Sequence, residues 1–392
     1  MANEDKATRY HRLRRRASLL GTTLGALLLI VLLLTGGSAA IRDAARSIAG
    51  ESFLLTILFY VLLIALLSEA LQLPLAFYQG VTLERRYGLS TQTTAAWWRD
   101  HFKAGGLALA CALAGAFIVW PLLRWAPAYW WLIAAVCFSG ILIVLAQLAP
   151  VLLFPLFYEL KPLDRPTLVQ RLVSLADRAG AQVLGVFELR LSDRTRKANA
   201  ALAGMGRTRR ILLSDTLLSD HSDDEIEVIL AHELAHHVHG DIWKGIALET
   251  ALITLGFYLA DRVLTAFAAP LGLDGKSDIA GLPLLLLTGG AVSVTLLPLA
   301  NAVSRAHERR ADRYALEMTE NADAFVTAMK RLAAQNLAEE HPSRLVEMLF
   351  HSHPSMSSRI AAAHEWMATH PRGAARTFTP RPRSGQAVRG TP

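Results

Sequence analysis

Six apolar stretches, at about residues 18–36, 53–78, 104–123, 129–157, 242–268 and 282–300, constrain this chain of 392 residues more than any other feature. Each is long enough to cross about 30 Å of hydrocarbon as a helix. Lipid offers no partner for backbone N–H and C=O groups, and a helix pairs them all within one segment. The expected fold is therefore mainly α, a polytopic transmembrane protein. Composition agrees, with 53% of residues hydrophobic and only 19% charged, against roughly 25% charged in an average soluble protein.

Basic residues orient the spans. Arg9, Arg12, Arg14, Arg15 and Arg16 precede the first stretch and should remain in the cytoplasm. Counting spans from there returns three regions to the same side: the loop with Arg85, Arg86, Arg99 and Lys103, the segment 158–241, and everything after Asn301. The outer loops are short or weakly charged, and Trp120, Trp125, Trp130 and Trp131 are expected to form an outer aromatic belt, with Trp97 and Trp98 near the inner face. The first stretch, with its basic start and Gly37-Ser38-Ala39-Ala40, also has the elements of a signal peptide. It is rather long for one, and either reading leaves the later spans oriented alike.

The net charge of +7 is concentrated at the two ends. Basic flanks held at an anionic leaflet account for it, and no nucleic-acid partner is expected. Cys111 and Cys137 lie inside apolar stretches and read as small buried hydrophobes, not as a disulfide. The chain ends Arg389-Gly390-Thr391-Pro392, with no C-a-a-X box, so prenylation there is not expected.

Four regions follow: a basic cytoplasmic N-terminus over 1–17, a four-helix membrane domain over 18–157, a region over 158–370 containing the last two spans, and a basic tail over 371–392 rich in Arg, Pro and Gly and expected to be disordered. The segment 158–241 has mixed character. Residues 166–179 read as a helix, and 186–191, 198–202 and 209–213 as strands of a small sheet, the last two joined by a turn at Gly204-Met205-Gly206. Ser222 with Glu225 forms a capping box that opens the next helix.

That helix carries His232-Glu233-Leu234-Ala235-His236. Positions four apart share a helix face, so both imidazoles can reach one Zn²⁺ at about 2.0–2.1 Å. Glu233 falls beside them, placed to act on a water as general base. A catalytic zinc takes three protein ligands and keeps one position open. Glu308, just beyond the last span, can supply the third, completing a His₂Glu set. Asp312 is one turn on and can accept a hydrogen bond from the free nitrogen of a ligand histidine. Taken alone, Glu308 could equally pair with Arg305 or Arg309; the motif upstream, on the same side of the membrane, favours the ligand role. His237 points about 100° away from His236 and is not a ligand, and His239 is likewise an unexpected one. His221, His307 and His351 have no assigned task, while Glu69 and Glu249, inside spans, should face a cavity or a partner, or else sit near the cytoplasmic interface and snorkel.

With H-E-L-A-H at 232–236 and S-R-A-H-E-R-R-A-D at 304–312, the chain resembles the type 1 CAAX prenyl protease family, integral-membrane zinc endopeptidases of the gluzincin kind. Further stretches match its pattern: Leu73-Pro74 to Tyr87-Gly88-Leu89, 150–157, Asn199-Ala200 through Arg210 to Leu217, and His353-Pro354 with Arg359-Ile360. The likeness runs over about 50–365. Ala235 stands where the family often has Gly, and His237 where it often has Trp; neither threatens the metal geometry, since Ala is the better helix former.

The resemblance implies one Zn²⁺ per chain, held by His232, His236 and Glu308, with Glu233 as general base. By the same pattern His353 serves the oxyanion or substrate carbonyl, Arg359 holds the substrate backbone or the motif itself, and Asn199 offers its amide to the substrate main chain. The function implied is a membrane endopeptidase acting on membrane-anchored or prenylated peptides from the cytoplasmic side of the bilayer. A quality-control protease without prenyl specificity and a catalytically silent zinc-binding scaffold are the alternatives. Glu233 argues against the scaffold, which has no use for it, and the lack of internal repeats argues against a transporter.

Overall fold

The structure, a computed structural model, describes residues 5–152, 154–204 and 209–370, with the side chains of 149–155 outside that description. The expected turn residues Met205 and Gly206, the tail over 371–392 and the side chains of Pro150 and Pro155 lie outside the described residues. The first half is a bundle: α1 (Lys6–Leu34), α2 (Gly37–Ala49), α3 (Phe53–Phe77), a π-helical stretch Tyr78–Leu83 running into α4 (Glu84–Arg86), α5 (Thr94–Trp125), α6 (Trp130–Leu152) and α7 (Phe154–Phe157). The second half holds β1 (Leu160–Pro162), α8 (Pro166–Arg178), β2 (Gly185–Leu189), β3 (Ala200–Ala203), β4 (Arg210–Ser214), α9 (Asp215–Asp220) and α10 (Asp223–Val238). It then runs through α11 (Asp241–Phe267), α12 (Leu282–Thr319), α13 (Ala322–Gln335), α14 (Arg344–Phe350) and α15 (Met356–Thr369).

Among the described residues six helices are long and apolar enough to cross a membrane, the number read from the sequence. They face outward with side chains such as Leu66, Val136, Val144 and Val294, each more than half exposed. That surface suits lipid and not water. Inside, Leu32, Ile57, Tyr60, Trp120, Leu123, Trp130 and Leu264 form one buried core joining α1, α3, α5, α6 and α11. Trp120 and Trp130 therefore do not belong to an outer belt, as expected from sequence. Both are fully buried, and the Trp130 indole N–H donates to Asp261 at 2.7 Å. Depth along a helix was legible, but the side on which each ring lies depends on the neighbours it meets. Cys111 is exposed and Cys137 half-buried, so the expectation that both are buried fails for the same reason.

Two polar clusters tie the ends of the bundle. At the far end Ser38 bonds Tyr60 and the Ala280 carbonyl, and Arg42 bonds Asp278. At the opposite end Tyr10 donates to Glu84, and Arg194 reaches Asp100 and the Phe157 carbonyl. The soluble segment packs on this second end. Its four-stranded sheet has the order β1-β2-β4-β3, with β2 and β4 parallel (Val186 opposite Ile211) and the outer pairs antiparallel. Val186, Ile211 and Leu213 turn one face toward Leu172 of α8 and Ile226, Leu230 and Leu234 of α10. Each such side chain contributes roughly 1.5–3 kcal/mol by leaving water. β3 is an edge strand, and β1 was not foreseen, being too short for a periodic signal.

α12 brings the last span and the third acidic residue together. Its 38 residues run about 57 Å at 1.5 Å per residue, far more than the hydrocarbon needs. The helix therefore continues beyond the apolar part and packs its final turns, with Ala311 and Ala315 fully buried, into the soluble core.

Candidate metal centre

α10 is built to hold its position. Ser222 Oγ accepts the Glu225 N–H at 3.3 Å while the Glu225 carboxylate accepts the Ser222 N–H at 2.8 Å, the expected capping box. Asp223, Asp224 and Glu225 crowd the first turn, where the helix dipole favours negative charge. Ala231, Leu234 and Ala235 are fully buried, so the rod has little freedom to rotate and the histidines keep their heading.

His232 and His236 face each other edge-on, ring centroids 5.1 Å apart and planes at 84°. Glu308 of α12 lies between them: its Oε2 is 3.2 Å from His232 Nε2 and its Oε1 3.4 Å from His236 Nε2. One donor atom from each of the three lies within 4.8 Å of the others. The opposite ring nitrogens are also engaged. His232 Nδ1 is 2.9 Å from Asp312 Oδ1, and His236 Nδ1 is 3.0 Å from Asp241 Oδ2. Each imidazole is thus oriented by a carboxylate behind it, the arrangement that fixes tautomer and heading at metal sites.

Asp241 was missed in the sequence. It sits just past Gly240, whose φ of +65° is cheap only for glycine and turns the chain back at the end of α10. Asp241 also accepts from Arg310 and, at 3.4 Å, from Lys244. The signal was there: a glycine closing the motif helix and an acid opening the next one.

Arg359 is buried. Its Nε donates to Asp312 Oδ2 at 2.8 Å, and its Nη2 bonds the other oxygen and lies 3.3 Å from His232 Nδ1. Of the two roles read for it, contact with a substrate backbone does not fit this position, because the guanidinium lies behind His232 and not in front of the ligand cluster. It clamps Asp312, and so the motif. His353 Nδ1 is 2.8 Å from Glu308 Oε2, with its side chain 61% exposed. Asn199 is exposed at the start of β3, its backbone bonded to Ser214 on both sides. Glu233 is half-buried between the two histidines in sequence. Burial pushes its carboxyl above the usual range, against the opposing pull of His232 and His236. Burial would depress His232, yet the carboxylates of Asp312 and Glu308 beside it prevail and hold it up at about 9. The pocket therefore favours positive charge at this point.

The remaining histidines stay out of the cluster. His239 Nδ1 bonds the Ala235 carbonyl at 2.8 Å and its ring packs on Tyr314. His307 lies 3.8 Å from Asp241 and His351 3.7 Å from Glu339. His221 is buried. Glu69 pairs with His101 at 2.7 Å, and Glu249 lines a cavity of about 370 Å³ with Phe138, Ile253, Phe257 and Ser293. Partner and cavity are the two outcomes expected for acids at membrane depth.

Whether these residues suit a cation can be judged from Glu308. Its Oε2 is buried with no donor correctly aimed at it, although two ring nitrogens lie within 3.2 Å. Atoms that crowd one another without hydrogen bonding are disposed as ligands around a shared ion. Two ligands at 2.0–2.1 Å in a tetrahedron stand about 3.3 Å apart, close to the 3.2 Å between His232 Nε2 and Glu308 Oε2.

Two family models match the chain. One, CAAX prenyl protease N-terminal, five membrane helices, covers residues 2–159, and Peptidase family M48 covers 162–376. The chain belongs to peptidase family M48. It is a multi-pass membrane metalloendopeptidase of the CAAX prenyl protease type, and membership implies a metal. Over this range the described residues hold four helices long and apolar enough to span, α1, α3, α5 and α6; α2 has 13 residues, about 20 Å, too short to span. The chain is 33% identical over 310 residues to an uncharacterized metalloprotease, YhfN, of Bacillus subtilis, covering 78% of this chain and 72% of that one. It is 29% identical over 324 residues to CAAX prenyl protease 1 of Saccharomyces cerevisiae, covering 76% and 70%. The crystal structure of S. mikatae Ste24p shares the fold, with a TM-score of 0.83 at 24% identity over 91% of this chain and 88% of that one.

Proposed function

We propose that the chain is a zinc endopeptidase that cuts prenylated, C-a-a-X-type or otherwise membrane-anchored peptides at the cytoplasmic face of its membrane. The observation that carries the catalytic part is the convergence of His232, His236 and Glu308 with an unsatisfied Glu308 oxygen at the centre. The prenyl part rests on the likeness to CAAX prenyl protease 1 and on the N-terminal family model. The side of the membrane rests on Arg9, Arg12, Arg14, Arg15, Arg16, Arg85 and Arg86, which cluster at the end of the bundle that carries the site.

His232, His236 and Glu308 hold the metal. Bound there, a zinc ion supplies Lewis acidity and lowers the pKa of a water to about 7. With the metal in place, Glu233 would take a proton from the attacking water as the water oxygen bonds to the scissile carbonyl carbon. The same carboxyl returns the proton to the amine as the C–N bond breaks. His353, exposed and 2.8 Å from Glu308, donates to the developing oxyanion, a role worth about 10²–10³ in rate at comparable sites. Asp312 and Asp241 hold the imidazoles, and Arg359 holds Asp312. Asn199 pairs with the substrate main chain at the start of the edge strand.

The test uses the protein in detergent with zinc and a farnesylated peptide. Glu233→Gln should keep zinc and lose cleavage by at least a hundredfold; Glu308→Gln should lose zinc. Cleavage that survives Glu233→Gln refutes the mechanism. Equal cleavage of unfarnesylated peptide removes the prenyl specificity.

A further inference from the structure

Two cavities flank the first turns of α1. One, of about 480 Å³, has an apolar floor of Leu189, Ala201 and Leu212, with Asn199 and Lys197 among its walls. The other, of about 510 Å³, is lined by His353 and Pro354. Both are lined by His11 and Arg14. Arg14 therefore stands at a junction. The residue against Glu308 is on one side and the start of the edge strand on the other.

The charges at this junction do not balance. Glu84 is a single carboxylate with three claimants: it accepts from Tyr10, lies 3.1 Å from Lys197 Nζ and 3.9 Å from Arg14 Nη1. Neighbouring Arg15 is matched, with its guanidinium against the buried Glu339 at 2.5 Å. Among the described residues Arg14 donates to the Tyr10 hydroxyl at 3.1 Å and comes no nearer to Glu84 than 3.9 Å, with its side chain 52% exposed. A guanidinium has five N–H donors in a planar fork that suits a carboxylate, and Arg14 lines both cavities. A surplus cation beside an apolar floor is the chemistry that receives a peptide terminus with aliphatic side chains.

We propose that Arg14, backed by Lys197, binds the free α-carboxylate of a substrate cut a few residues from its C-terminus. This rests on the peptidase reading above and adds the feature of the substrate that sets the register. Distance permits it. A sphere of the volume of the cavity beside His353 is about 10 Å across, and three extended residues reach about 10 Å. A terminus held at Arg14 and the peptide bonds just upstream of it fit within this one cavity, which His353 also lines.

The experiment compares two farnesylated peptides that differ only at the end, one a free acid and one a carboxamide, with the zinc-loaded full chain. The wild type should prefer the acid. Arg14→Gln should lower kcat/KM for the acid by about tenfold to a hundredfold, mainly through KM, as expected for a lost charged hydrogen bond, and leave the amide unchanged. Arg14→Lys should restore part of the preference. Equal cleavage of acid and amide by the wild type overturns the proposal. So does an equal loss on both peptides in Arg14→Gln, which a structural or lipid-anchoring arginine would give. Glu233→Gln run in parallel separates the two readings: activity that survives it refutes the catalytic assignment, while activity lost in it without an acid preference refutes the carboxylate site alone.

Discussion

Replacing Asp241 with alanine removes the acceptor behind His236 without changing a ligand. In the structure His236 Nδ1 is 3.0 Å from Asp241 Oδ2, so the proton stays on that nitrogen and Nε2 is left to the metal. Without the carboxylate both tautomers are open and the ring can turn. Loss of such a partner typically costs 10–100-fold in metal affinity, or about 1.4–2.7 kcal/mol. Asp241 is the cleaner site for the test than Asp312. Its cationic partners Arg310 and Lys244 have side chains 38% and 49% exposed, so water can take over. Asp312, by contrast, faces an arginine only 8% exposed, and its loss would strand a buried charge. The assay is competition for zinc against a chromophoric chelator in detergent, with thermal unfolding of the same samples. Asp241→Ala should bind zinc 10–100-fold more weakly and unfold near the wild-type temperature. Asp241→Asn, which still offers an oxygen to the imidazole, should fall between. Zinc affinity unchanged within twofold in Asp241→Ala would refute the reasoning.

Two further outcomes follow from carboxylates held by several donors. Arg359→Met leaves Asp312 buried without its guanidinium and should cost about 3–5 kcal/mol of stability; unfolding measured in detergent that shows a loss under about 1 kcal/mol would contradict the clamp. Asp215 at the start of α9 accepts from Leu191 N–H at 2.9 Å, Ser192 N–H at 3.1 Å, Thr216 N–H at 2.9 Å and Ser192 Oγ at 2.5 Å. Burial alone would raise its carboxyl, but these bonds outweigh it and hold it below the usual carboxylate range. A depressed folded value means that its stabilisation is complete above the unfolded value, about 3.9, and is lost as pH falls through the folded one. The stability gap between wild type and Asp215→Asn should therefore be constant from pH 7 to about 5 and shrink below about 4; a gap that stays constant at pH 3 would count against it.

The motif helix shows what was legible and why. Its cap, Ser222 with Glu225, and the four-residue spacing of His232 and His236 are local facts, set within one or two turns, and they survive folding unchanged. Glu308 was legible at one remove, through the topology that returns the end of the last span to the same side. Arg359 was legible as a residue of the site but not in its direction: nothing in the order of residues says whether a long side chain points at a ligand cluster or stands behind it. Trp120 and Trp130 failed in the same way, placed at the right depth and on the wrong side of their helices.

By itself the sequence determined that six segments would be helices in lipid and that one further helix would present two imidazoles along a single face, because hydrogen bonding and side-chain period act within a segment. Only the tertiary structure decided that Asp241 would stand behind His236, that Arg359 would lock Asp312, and that Arg14 would meet Lys197 over one shared carboxylate. Those contacts join residues from different elements, and their existence depends on how rods of fixed length rotate and stack against one another, which no local rule encodes.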